Sequence, residues 1–297
     1  MRTVYLDCVS GISGDMLLAA LIDAGADIDY IKHALGHLPI DPFDISIKTV
    51  DKCGVSSKKL IIELHEAVSS THDDREHNND YHHHDHDHHD HGHDHCHEHD
   101  HLEHHHQHEH CHDHEHHRHD HDHDHHHRKA ADIIKMIRAS DLPARVKQRS
   151  LAIFDVIAKA EGKIHGIDPA EVHFHEVGAM DSIIDTIGIC LALESLDVAE
   201  ILSSAVPTGY GKLKMAHGLY PIPAPATAEL LKGIPLAHSP VQGELTTPTG
   251  AGVLKGLVSK YGPLGNFIIE SIGYGAGTKD FAEVPNVMRV LLGKTTH

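Results

Sequence analysis

Between His82 and His127 the chain carries 27 of its 38 histidines, together with 13 Asp or Glu and the two cysteines Cys96 and Cys111. Neutral imidazole and carboxylate are ligands for borderline divalent metals, and thiolate adds a soft donor. Alternation of His with Asp lets a pliant chain gather several donors around one ion, many times over. The candidate ligands are His82, His84, His86, His88, His93, His95, Cys96, His97, His110, Cys111, His112, His121, His123 and His125. A solvated run of charge is the plain alternative, but low-complexity drift seldom concentrates one metal ligand so far. Zn, Ni, Cu and Co all suit imidazole, so composition does not choose the metal. Storage, buffering and delivery look alike at this level.

Three further segments concentrate chemistry. Asp7-Cys-Val-Ser-Gly-Ile-Ser-Gly-Asp15 has the form of a strand end, two glycines and a helix start. Ser10, Gly11, Ser13, Gly14 and Asp15 there suit a backbone nest for an anion, although no GKS or GKT follows as a Walker loop requires. The plain reading is a tight turn with a capping serine. His173-Phe-His175-Glu176-Val-Gly-Ala-Met-Asp181-Ser-Ile-Ile-Asp185 places two His, one Glu and two Asp within thirteen residues. His173 and His175 share a face of an extended segment, and Asp181 and Asp185 share a face of a helix. Stacked carboxylates repel unless a cation or donors lie between them, so Asp181, Asp185 and Glu176 are candidate catalytic groups, with His173 and His175 as metal ligands. An acidic first turn favoured by the helix dipole is the alternative. Gly243-Glu-Leu-Thr-Thr-Pro-Thr-Gly250 sets hydroxyls and a glycine at a helix start. Thr247, Thr249 and Gly250 are therefore further candidates for anion or cofactor binding, unless Thr249 is simply an N-cap. Cys190 lies within an apolar helix and reads as core.

These segments need elements to position them. Thr3–Cys8 reads as a buried strand and Asp15–Ala24 as an apolar helix capped by Ser13. Phe43–Val50 and Lys58–Glu66 read as strands about a turn at Lys52–Ser57. Helices are expected at Ala130–Ala139, from after Asp141-Leu-Pro to about Lys163, up to about Leu196, at Ala224–Lys232 and after Thr249. Asp168-Pro-Ala-Glu171 has the form of a helical first turn. Ser203–Val206, Asn266–Gly273 and Asn286–Leu292 complete the strands. Alternation of the two element types predicts an α/β or α+β fold, a mixed sheet with flanking helices. The histidine tract has one leucine and no aromatic, so it is expected to be a disordered insertion over 72–128. It divides one domain into 1–71 and 129–297.

The formal charge of −19 includes −14 from residues 72–128, leaving −5 for the rest. That balance argues against nucleic acid, whose phosphates need a basic face. No apolar run is long enough for a membrane span, and the N-terminus lacks the apolar core of a signal peptide. Five scattered cysteines suit a reducing, cytoplasmic setting.

Taken together, DCVSGISGDM, HFHEVGAMDSIID, ELTTPTGAG and the closing GYGAGTKDFAEVPNVMRVLLG resemble the LarC family of nickel-insertion proteins. The match runs along the whole chain outside the tract. The resemblance implies CTP-dependent insertion of Ni(II) into pyridinium-3,5-bisthiocarboxylic acid mononucleotide, a lyase-type chelation. Its product, the nickel-pincer nucleotide, holds nickel through two sulfurs and a ring carbon and serves lactate racemase maturation. It further implies that the CTP site, with Mg or Mn, lies in a C-terminal domain beyond RVLLG. This chain, ending at His297, is then expected to work with a C-terminal partner half, and homo-oligomers are allowed. The rival expectation is a non-catalytic nickel or zinc storage protein.

Overall fold

In the computed structural model, residues 2–65, 128–174, 179–215, 218–282 and 284–296 are described. Clustering of contacts divides the chain into Met1–Ala67 with His125–His297 as one unit, and Val68–Asp124 as a second. The second lies outside the described residues, as does the expectation of disorder placed on it.

The first unit begins with strand β1 (Arg2–Asp7), helices α1 (Gly14–Asp23) and α2 (Ile28–Gly36), and the hairpin β2 (Phe43–Lys52) and β3 (Val55–Leu64). Helices α3 (Ala130–Ala139) and α4 (Ala144–His165), a 3-10 turn at Pro169–Glu171 and helix α5 (Met180–Ser195) follow. Then come β4 (Val198–Ser203), β5 (Val206–Pro207), β6 (Lys212–Met215), β7 (Gly218–Pro221), α6 (Pro225–Leu230) and β8 (Leu236–Ala237). Helix α7 (Pro248–Leu257), β9 (Lys260–Tyr261), β10 (Phe267–Ala276) and β11 (Val287–Thr295) close the chain.

Seven strands form one mixed sheet in the order β2-β3-β10-β11-β1-β4-β9. β1 lies inside it, antiparallel to β11 with Tyr5 opposite Leu291, and parallel to β4. Its Thr3–Leu6 run is buried throughout, which is why TVYL has no polar alternation. The fold is thus α/β with a mixed sheet, as the element pattern predicts. Helix α1 packs across β3, β10 and β11, and α5 lies against α1, α2 and α4. In α5 every residue from Ile183 to Leu193 is buried, the signature of a helix with neighbours on all sides. The carboxylate of Asp185 is carried into that interior.

Several boundaries differ from the sequence expectations. The β2–β3 turn is the two-residue Cys53-Gly54, both with positive φ, so the strands run closer together than a turn over Lys52–Ser57 allows. Helix α2 has no counterpart in the periodicity reading. It buries only Ile31 and Leu35, and the Asp27 carboxylate caps it by accepting from the Asp29 and Tyr30 amides, both at 3.0 Å. Ser203–Val206 is not a single strand. β4 ends at Ser203, and the chain leaves the main sheet before Val206 pairs with β8 in a separate small sheet.

Candidate functional site

The loop leaving β1 and the loop entering α7 are fastened together. The Ile12 amide donates to the Leu245 carbonyl at 2.9 Å, and the Thr247 amide to the Ile12 carbonyl at 3.1 Å. Gly11 adopts φ +91°, and a Cβ there would come within 1.9 Å of the Leu245 oxygen. A Cβ at Gly250 would meet the Ile12 oxygen at 2.2 Å. These two glycines serve the contact between backbones. Ser10 is buried and its hydroxyl donates to the Pro285 carbonyl at 2.6 Å. Ser10, Gly11 and Gly250 of the expected anion sites are not among the residues that line the cleft at the N-termini of α1 and α7.

The fastening brings the N-termini of α1 and α7 side by side, and α5 delivers a third edge. Together they border a cleft of about 490 Å³. Ser13, Gly14 and Asp15 come from the first motif; Asp181, Ser182 and Asp185 from the second; Glu244, Thr247, Pro248 and Thr249 from the third. Three segments spread over more than two hundred residues of chain thus share one cavity. The wall is completed by Leu60 and Ile62 of β3 and by Leu213 and Lys214 of β6.

The capping chemistry is more specific than the sequence indicates. Ser13 occupies the N-cap of α1, but its hydroxyl donates to the Asp15 carboxylate instead of accepting from the helix. At α7 the cap is Thr247, not Thr249: its Oγ accepts from the Gly250 amide at 3.3 Å, with Pro248 at the first helical position. Thr249 is buried within the first turn, in the cleft wall.

Four carboxylates, Asp15, Asp181, Asp185 and Glu244, line the cleft beside one ammonium, Lys214. Asp181, in the first turn of α5, accepts from the Ser182 amide at 2.8 Å. Asp185 lies one turn deeper, not in the first turn, and is only 8% exposed. Its Oδ1 is buried with no hydrogen-bond partner among the described residues. Oδ2 lies against Gly14, where a Cβ would come within 2.6 Å of it. Burial, then the charges of Asp15 and Asp181, push the Asp185 carboxyl well above the usual carboxylate range. Such surroundings favour the protonated form of the group, and nearby positive charge favours its ionisation.

His173 does not join this wall. It is exposed in an extended segment bridged to Lys129, between the buried Val172 and Phe174. Phe174 packs on Phe154 of α4 with ring centroids 6.1 Å apart, so core packing turns His173 outward. His175 and Glu176 lie outside the described residues, as do all the tract ligands from His82 to His125 with Cys96 and Cys111. Among the described residues, no three His, Cys, Asp or Glu form a ready metal-ligand group. Cys190 is buried core, its thiol pushed up to about 12 by burial. The sequence reading omits Glu244 and Ser182, which stand inside the motifs it singles out. It also omits Lys214, Leu213, Leu60 and Ile62, which carry no local signal because other strands bring them. No helix among the described residues is long and apolar enough to cross a membrane.

Residues 4–297 match a family model described as Nickel insertion protein. A Staphylococcus saprophyticus protein named pyridinium-3,5-bisthiocarboxylic acid mononucleotide nickel insertion protein is 49% identical over 288 residues, covering 97% of this chain and 59% of that protein. Proteins of the same name from Geobacillus kaustophilus and Desulfitobacterium hafniense are 41% and 36% identical, over 100% and 99% of this chain and 61% and 59% of theirs. The chain thus spans 59–61% of the length of these curated relatives. No solved structure matches it. A family model that covers all the motifs of the cleft, joined to relatives aligned along nearly the whole chain, shows that this chain belongs to the nickel insertion protein family.

Proposed function

We propose that this protein takes part in inserting Ni(II) into pyridinium-3,5-bisthiocarboxylic acid mononucleotide, the activity its relatives are named for, and that the acidic cleft is where cation and substrate meet. The observation that carries this reading is Asp185, a buried carboxyl whose Oδ1 lacks a partner in a cavity walled by three further carboxylates. Such an arrangement is costly when empty and is relieved by positive charge. Both Ni²⁺ and a pyridinium ring supply it.

Carboxylates alone favour harder cations than nickel. In this reading the softer donors come from the substrate's own thiocarboxylates, with His175 as a candidate nitrogen ligand. The N-termini of α1 and α7 and the hydroxyls of Thr247 and Thr249 offer donors to the anionic groups of the substrate. Nickel replaces a ring proton, which must pass to a base. Asp185, deprotonated as the cation enters, is the candidate acceptor, with Asp181 and Glu176 holding the charge balance. The histidine tract gathers Ni²⁺ for delivery. The resemblance assigns CTP, with Mg or Mn, to a C-terminal half acting with this one. Cytoplasmic location rests on the scattered cysteines, and service to lactate racemase on the resemblance.

The test is Asp185→Asn, nearly isosteric, in the complete assembly with nickel and CTP. Formation of the nickel cofactor should fall at least ~10-fold, the scale for losing one preorganised electrostatic partner. Tract-bound nickel should be unchanged by elemental analysis. Full cofactor yield at saturating nickel would remove this cleft from the reaction.

A further inference from the structure

Helix α2 turns Ile31 and Leu35 to the core and leaves its other side to solvent. On that side stand His33 and His37, four residues apart and both exposed. His37 is the C-cap residue, but its backbone keeps helical dihedrals, φ −90° and ψ −3°, so the one-turn relation between the two side chains is retained. Their rings already converge, edge against face, with centroids 4.5 Å apart. They border a cavity of about 310 Å³ whose wall also includes Asp141, Leu142 and Pro143, the connection from α3 to α4.

The ring nitrogens are not equivalent. Nδ1 of His37 lies 2.7 Å from the His33 carbonyl oxygen. A carbonyl only accepts, so Nδ1 carries the hydrogen, and in the neutral ring Nε2 keeps its lone pair. Ordinary capping of a last-turn carbonyl explains that bond. It explains neither the lone pair on Nε2 nor the second imidazole one turn back. The His33 ring makes its edge contact with His37 and no hydrogen bond among the described residues. A backbone bond at one nitrogen is the arrangement that orients a histidine to ligate metal through the other.

We propose that His33 and His37 together chelate a borderline divalent cation, Ni²⁺ or Zn²⁺, through one ring nitrogen each. Two histidines at i and i+4 on one helix face are the pair that helical zinc motifs use. Imidazole suits both metals and does not suit Mg²⁺. Metal–nitrogen bonds of about 2.0–2.1 Å require the two nitrogens to stand roughly 3 Å apart. Exposed rings reach that spacing by rotation, without moving the core. Asp141 brings negative charge to the same cavity, but it is not grouped with the rings closely enough to form a three-donor set. The other coordination positions are therefore open to water or to donors of an incoming molecule. Closed four-ligand sites are structural, whereas a site with open positions can exchange its ligands. The pair thus gives the folded unit a point that holds metal and releases it. It shares no residue with the carboxylate cleft or the histidine tract, and it stands whether or not the cleft inserts nickel.

The test maps carbethoxylation of individual histidines by peptide mass spectrometry in the full chain, at about pH 7.5, where imidazole is mostly neutral. Metal is supplied in excess of the tract's histidines. At free Ni²⁺ or Zn²⁺ about ten times the dissociation constant, modification of both His33 and His37 should slow ~10-fold, by mass action. The exposed His238 should keep its reactivity, and Mg²⁺ should protect neither ring of the pair. Protection by one of the two metals alone assigns the site to that metal. His33→Gln, a change at an exposed position, should abolish protection of His37, because the second ring binds an ion already held by the first. Hydrogen exchange of the α2 amides, a second readout, should slow with metal in the wild type and not in His33→Gln. Unchanged reactivity of both rings in excess Ni²⁺ and Zn²⁺, equal protection by Mg²⁺, or His37 still protected in His33→Gln would overturn the chelate.

Discussion

Asp185 sets function against stability at a single side chain. Its folded-state carboxyl titrates above the usual range, because burial and the charges of Asp15 and Asp181 disfavour ionisation. An aspartate in the unfolded chain titrates near 3.9. Below that value the group is protonated in both states and costs nothing. As pH rises through it, the unfolded chain releases its proton first, so stability falls until the folded pKa is reached. Asp185→Asn should therefore melt at the same temperature as the wild type near pH 4 and higher at neutral pH. A difference of about 2–4 °C corresponds to ~1 kcal/mol in a domain of this size. Differential scanning calorimetry across that range checks it; a variant less stable at pH 7 would mean that the charged carboxylate is already compensated. The cysteines give a second prediction at this scale. Cys8 and Cys190 are buried with thiols pushed up to about 12, whereas Cys53 is exposed. In a chain with Cys96→Ser and Cys111→Ser, one thiol should react with a maleimide natively and three after unfolding.

At the scale of elements, the cleft depends on how closely α7 approaches the loop before α1. Gly250 is the contact: an added methyl would strike the Ile12 carbonyl. Overpacking costs ~1–3 kcal/mol and the gain in helix propensity returns ~1 kcal/mol; a clash with backbone at 2.2 Å lies at the upper end of that cost, so Gly250→Ala should be destabilised by about 2 kcal/mol in urea unfolding. Gly36→Ala, at the end of α2 with nothing within 4 Å of the new Cβ, is the control and should be neutral or slightly stabilised. If both behave alike, the fastening is not tight. Elements with strong local signals are legible in the sequence: α3 spans the expected Ala130–Ala139 because Ile133 and Ile137 repeat on one face between polar residues. α2 is not read, although its Asp27 cap and the i, i+4 pair Ile31 and Leu35 are helix signals; its nine residues fall short of the roughly 10–12 by which a helix is told from other short apolar segments. The choice of Thr247 over Thr249 as cap is legible, since Pro248 suits the first helical position just as Pro169 does after Asp168.

For the molecule as a whole, the histidine tract and the folded unit should be separable. Residues 78–127 hold 27 histidines and almost nothing apolar, so replacing them with a short Gly/Ser linker should leave the metal-free melting temperature unchanged within about 2 °C. Nickel capacity, measured by elemental analysis, should fall sharply from several ions per chain, while maturation at plentiful nickel persists. Imidazole must be neutral to bind, so wild-type occupancy should drop between pH 7.5 and 5.5. A large loss of melting temperature on replacement, or a single pH-independent ion per wild-type chain, would contradict separability or multivalent loading.

What the sequence determined by itself was the local chemistry: a tract dense in metal ligands, three polar motifs at strand and helix ends, and an α/β alternation. Composition and short-range periodicity carry those, because they depend on neighbours in the chain. What only the tertiary structure decided is which motif residues share a cavity. Ser13, Asp15, Asp181, Asp185, Thr247 and Thr249 meet because β1 lies inside the sheet and α5 runs through the core behind it. Ser10, Gly11 and Gly250, just as prominent in the motifs, are spent on holding backbones together. His173, one residue from a core phenylalanine, is turned away by the packing of Phe174. Proximity across two hundred residues is a property of the sheet order and of packing, and neither is written in the spacing of any one segment.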